Sequence, residues 1–120
     1  MKPFIMAVLV LSSFTTIAQT KTDSFKVYGN CGMCEKRIEK AVRVEGVTSA
    51  DWNVDSKIME ITYDAAKISN DQLQQKIAGV GHDTEKYMAD NKVYNNLPGC
   101  CLYERRKVND KPDHPGPQHK

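Results

Sequence analysis

Two cysteines separated by two residues, Cys31 and Cys34, are the side chains of this sequence best placed to do chemistry. They lie in Gly29-Asn30-Cys31-Gly32-Met33-Cys34-Glu35, between a segment of alternating pattern and one of helical spacing. That placement puts the second sulfur in a first helical turn, where unpaired backbone N–H groups and the helix dipole favour negative charge. A thiol there ionises readily, and the thiolate is both nucleophile and soft-metal ligand. Thiolates select Cu(I) and similar ions over hard cations. Two of them on an exposed loop grip a cation and still leave room for an incoming ligand.

A second pair, Cys100-Cys101, sits far along the chain. Bonded to each other, adjacent cysteines close a strained ring. Three readings remain: extra soft-metal ligands, a disulfide to Cys31 or Cys34, or a bond to another molecule. A four-sulfur site would favour Zn(II) or a Cu(I) cluster. Met33 either fills a gap in the packing, a common use of methionine, or offers a thioether near the metal. The same Cys31-x-x-Cys34 pair could instead work as a thiol-disulfide redox switch, although Gly-Met is not the usual pair between redox cysteines. A purely structural disulfide is the third use. No Ser-His-Asp set or paired carboxylates can be brought together, so the chain is read as a binder and not an enzyme.

The elements that must position these residues follow from periodicity. Ser24 to Tyr28 alternates as a half-buried strand does, and Gly29-Asn30 breaks it. Cys34, Ile38, Ala41 and Val42 then recur at spacings of three and four in a helix ending near Gly46. Val47 to Val54 is a second strand, Asp55-Ser56-Lys57 a turn, and Met59, Ile61 and Tyr63 mark a third strand. Ser69 is a good N-cap for a second helix, with Asp71 in its first turn, Leu73 and Ile77 facing inward, and Gly79 or Gly81 to stop it. His82 to Ala89 is the expected last strand. The order β-α-β-β-α-β with right-handed crossovers gives an α+β, ferredoxin-like sandwich: a four-stranded antiparallel sheet with two helices on one face. Its expected core is Phe25, Val27, Ile38, Ala41, Val42, Val47, Ala50, Trp52, Met59, Ile61, Leu73, Ile77 and Val80.

Residues 24–89 resemble the heavy-metal-associated domain family, which includes copper chaperones, the N-terminal domains of copper-exporting ATPases and periplasmic mercury-binding proteins. The resemblance is carried by Cys31-x-x-Cys34 followed by Arg37-Ile38-Glu39-Lys40-Ala41-Val42, then Glu45-Gly46-Val47, Ile61-x-Tyr63-Asp64 and Ile77-x-x-x-Gly81. It implies metal held by Cys31 and Cys34, Cu(I) first, with Hg(II) or Zn(II) as alternatives. Where the family usually has a methionine two positions before its first cysteine, this chain has Gly29. In this topology the last strand starts at the edge that carries the Cys31 loop. His82 at that turn is therefore either a solvent-exposed histidine or a weak third ligand that tunes the thiolates.

The ends set the compartment. Lys2, the apolar run Phe4 to Leu11 and the small residues around Thr16-Ile17-Ala18 form a signal peptide over 1–18 with a cut after Ala18. The run is shorter than the roughly 20 apolar residues that span a bilayer, so no membrane insertion is expected once the signal is removed. The destination is the periplasm or another extracytoplasmic space, where disulfides can also form. Removing 18 of 120 residues leaves 102, one domain's worth, with 16 basic and 15 acidic side chains once Lys2 is gone. So balanced a charge gives no reason to seek nucleic acid. Lys36, Arg37, Lys40 and Arg43, interleaved with Glu35 and Glu39, read as a solvated helix face. The metal-binding domain occupies 19–90 and a Cys-Cys extension 91–108, whose ten residues from Asp90 to Gly99 could span roughly 30 Å and cross back over the domain. A disordered tail follows over 109–120, in which His114 and His119 are read as solvated. The chain is expected to be a monomer, or a metal-bridged dimer, that exchanges metal with an efflux pump or a cuproprotein.

Overall fold

The computed structural model describes residues 19–105. The signal expected over 1–18 and the tail with His114 and His119 lie outside the described residues. Three strands, β1 (Thr20–Lys26), β2 (Val47–Trp52) and β3 (Ile58–Asp64), make one antiparallel sheet in the order β1-β3-β2. Register runs from Thr20 opposite Asp64 to Lys26 opposite Ile58, and from Val47 opposite Tyr63 to Trp52 opposite Met59, with a slip between Val47 and Ser49. Alternation in β3 sends Met59, Ile61 and Tyr63 to one face, where all three are buried. That face meets α1 (Gly32–Ala41) and α2 (Asn70–Gly79), whose Ile38, Leu73 and Ile77 are fully buried in the same core. Each such side chain contributes about 1.5–3 kcal/mol by leaving water.

Helix α2 begins as expected. Ser69 Oγ accepts from the Gln72 N–H at 3.1 Å, and Gln72 Oε1 accepts from the Ser69 N–H at 3.0 Å, a reciprocal cap. Of the expected core, Ala41, Val47, Ala50 and Val80 are only half-buried. Unexpected members include Tyr63, Ile68, Leu97, Cys101 and Tyr103.

The expected fourth strand over His82 to Ala89 requires correction. Among the described residues the sheet has three strands, and this segment gives only one antiparallel bridge, Val27 with Thr84. Its backbone bonds locally, to itself and to its own side chains, instead of in a ladder. The Thr84 N–H donates to the Tyr87 carbonyl at 2.7 Å, Thr84 Oγ1 accepts from the Tyr87 N–H at 3.0 Å, and Asp83 Oδ1 accepts from the Ala89 N–H at 2.7 Å. The backbone is thereby curled into a turn.

Beyond it the chain does cross back. A short helix, α3 (Asn91–Asn95), is capped by Asp90, and a 3₁₀ turn covers Gly99–Cys101. Leu97 lies against Gly81, which takes φ +109°; a Cβ on that glycine would stand 3.0 Å from Leu97 Cδ2. Tyr103 fastens the end, its hydroxyl donating to the Gly81 carbonyl at 2.8 Å and accepting from the Asp83 N–H at 2.7 Å.

Candidate metal site

Cys31 is the N-cap of α1 in extended conformation, and Cys34 lies in the first turn. The two Sγ atoms are 3.5 Å apart. The backbone N–H of Cys34, foremost, draws the Cys31 thiol down to about 7, helped by the side chains of Cys34 and Cys100 and the Met33 N–H, and opposed by burial. An appreciable fraction is therefore thiolate at neutral pH, as a helix N-terminus favours. Cys34 Sγ accepts from the Asn30 N–H at 3.4 Å.

The expectation that both sulfurs sit at an open edge holds in part. Cys31 is half-exposed and Cys34 is buried as a member of the hydrophobic core. The returning extension carries the second pair into the site. Cys101 Sγ is 3.9 Å from Cys31 Sγ, and the sulfurs of Cys31, Cys34 and Cys101 all lie within 4.8 Å of one another. Cys101 is buried, and its thiol is pushed up to about 12, chiefly by desolvation and then by Cys34, against the lowering effect of Arg37. Arg37 Nη1 stands 3.3 Å from Cys101 Sγ. Cys100 points outward, with its Sγ 3.5 Å from the thioether of Met33 and 3.9 Å from Cys101 Sγ. Met33 is 54% exposed, so it does not pack as a core residue.

His82 is neither an exposed turn residue nor part of this sulfur group. It is fully buried, stacked on Tyr103 with ring centroids 5.4 Å apart, and its Nδ1–H donates to the Tyr28 carbonyl at 2.8 Å. Burial holds its pKa below the usual value and leaves Nε2 without a partner among the described residues. Its contact is with the backbone just before the Cys31 loop. Arg37 is the site residue that sequence reasoning missed, because its partner lies 64 positions away. Gly29 is also explained. A Cβ there would meet Trp52 Cη2 at 3.0 Å and Cys34 Cβ at 3.2 Å, so the indole fills the space a side chain would need. Trp52 is fixed in turn by its Nε1–H, which donates to the Val27 carbonyl at 3.0 Å.

Residues 26–83 match the family model of the heavy-metal-associated domain. The copper chaperone CopZ of Staphylococcus aureus is 34% identical over 55 residues, which cover 45% of this chain and 81% of CopZ. The chain belongs to the heavy-metal-associated domain family. Similar solved members include a CopZ metallochaperone (32% identity, TM-score 0.52, 53% of this chain and 98% of that one). Oxidised MerP from Ralstonia metallidurans is 31% identical with a TM-score of 0.52, over 55% of this chain and 94% of MerP. A third is the Cu(I)-loaded N-terminal domain of a potential copper-translocating P-type ATPase from Bacillus subtilis (27%, 0.52, covering 54% and 84%). The heavy-metal-associated segment ends at residue 83, so Cys100, Cys101, Tyr103 and Arg105 belong to what this chain adds to it.

Proposed function

We propose that this protein captures Cu(I) through Cys31 and Cys34 and buffers it or passes it to an efflux pump or a cuproprotein. The observation that carries the reading is the Cys31 thiol at the start of α1, drawn to about 7 and 3.5 Å from Cys34 Sγ. A pair so disposed supplies the soft donors that monovalent copper selects. Family membership and the likeness to copper chaperone CopZ support the choice of metal. Hg(II) and Zn(II) are the alternative cargoes. Export through a signal over residues 1–18, and work in the periplasm, belong to the same proposal, as does a role in binding and not in catalysis.

The test is anaerobic Cu(I) titration of the reduced full chain against a competing chelator. A single high-affinity equivalent is expected, lost when Cys31→Ser and Cys34→Ser are combined. Full affinity in the double variant would exclude the pair. Mixed-disulfide trapping with Cys34→Ser addresses the redox alternative, in which protein partners accumulate on Cys31.

A further inference from the structure

The structure assigns the chain's own extension a part in the site: we propose that Cys101 is a third thiolate ligand, so that Cys31, Cys34 and Cys101 hold one soft d¹⁰ cation in a three-sulfur cup. The inference rests on the reading of Cys31 and Cys34 as metal ligands and adds the ligand that nothing in the family segment supplies.

Distances favour it. At a metal–sulfur bond of about 2.3 Å, two thiolates in a linear site stand about 4.6 Å apart, whereas three around one ion stand about 4 Å apart. Cys31 and Cys34 are already 3.5 Å apart, Cys31 and Cys101 3.9 Å, and all three sulfurs fall within 4.8 Å. Shifts of under about 1 Å reach the three-fold arrangement with Cys31 and Cys101 already at its spacing, while the linear one requires the first pair to separate by about 1 Å and leaves Cys101 beside the ion unused.

Charge and burial agree. Each thiol that ligates gives its proton to solvent, so three thiolates around Cu(I) leave two excess negative charges. Arg37, 3.3 Å from Cys101 Sγ, places a fixed positive charge against the added sulfur, and the N-terminus of α1 faces the first pair. Cys101 is held there by construction: Leu97 on Gly81 precedes it, and Tyr103 bound to Gly81 and Asp83 follows it. A buried thiol beside two others and a guanidinium has the surroundings of a ligand, whereas Cys100 is exposed and has the Met33 thioether, not a guanidinium, beside it.

The deciding measurement is the sulfur count around Cu(I) by X-ray absorption on the reduced full chain, with chelator competition run in parallel. Three sulfurs are expected in the wild type. Cys101→Ser should give two, with Cu(I) affinity at least tenfold weaker at unchanged one-to-one stoichiometry. Cys100→Ser should leave the count at three and lower the affinity less than Cys101→Ser does. Two sulfurs in the wild type would overturn the proposal while leaving Cys31 and Cys34 as the site, and that count does not depend on any variant folding. A loss confined to Cys100→Ser would overturn it also, by moving the ligand one residue. Unchanged binding in the Cys31→Ser, Cys34→Ser double variant would remove the underlying pair itself.

Discussion

At Gly29 a neighbour's ring occupies the space a side chain would need, and the loop that carries Cys31 is seated on that ring. The contact distances of 3.0 Å to Trp52 Cη2 and 3.2 Å to Cys34 Cβ leave little slack, because the indole is buried and held by its bond to the Val27 carbonyl, and Cys34 Cβ is fixed to the helix backbone. Gly29→Ala is therefore expected to destabilise the protein by about 1–3 kcal/mol through overpacking. Urea unfolding measures this, and a variant as stable as the parent would show that the indole has room to move. The residue scale is also where the sequence was most informative about chemistry. Two cysteines at this spacing, after an alternating run and before a helical one, carry their meaning locally. Arg37 does not: its charge reads as solvated until a residue 64 positions away is folded against it.

The elements divide in the same way. Helix α2 and the turn after β2 were legible because their signals are short-range: Ser69 and Gln72 cap each other, and Asn53 Oδ1 accepts from the Asp55 and Ser56 N–H groups at 2.8 and 2.9 Å. The segment after α2, His82 to Ala89, is expected as the last strand, yet its outcome is set by Asp83 and by partners far along the chain. Both oxygens of Asp83, a fully buried side chain, are bonded by Arg105, at 3.0 Å from Nε and 2.8 Å from Nη2. Arg105 also donates to the Ala89 carbonyl and to Asn91 Oδ1, both at 2.6 Å, and so ties the end of the extension to its beginning. Removing the guanidinium leaves a buried carboxylate short of its counter-charge. Arg105→Ala should cost toward the lower end of about 3–5 kcal/mol, since Arg105 itself keeps some contact with solvent. Denaturant unfolding reads the loss, and alkylation of Cys101 in the folded variant should become faster as the extension loosens. A loss under about 0.5 kcal/mol, the level of an exposed pair, would mean that the latch is not closed in solution.

For the whole molecule, acid is the informative perturbation, because below about pH 6 Cys31, drawn to about 7, is almost entirely thiol in folded and unfolded chains alike and drops out of the balance. Burial depresses the pKa of His82 below 6.5, so the unfolded chain binds a proton there before the folded one does. Stability contributed by neutral His82 is complete above the unfolded value and is lost as pH falls from about 6.5 toward the depressed folded value. Asp23 acts in the same direction further down. The Tyr63 hydroxyl and the Asn70 amide, in that order, hold its carboxyl below 3.8, and their support disappears as pH falls through the lowered value. Glu39 works the other way. Desolvation raises its pKa above 4.5, so the cost of its buried charge is relieved as pH drops through that raised value. Between about 6 and 5 the downward slope of stability is therefore expected to belong chiefly to His82, with a ceiling of about 1.4 kcal/mol per pH unit for one proton. His82→Phe keeps an aromatic ring against Tyr103 and removes the titrating nitrogens. The variant loses the bond to the Tyr28 carbonyl and should be less stable at pH 7.5, but its melting temperature should stay nearly flat from pH 6 to 5 while the parent's falls. Parallel profiles for the two chains would place the acid sensitivity elsewhere and would mean that the imidazole is hydrated in solution.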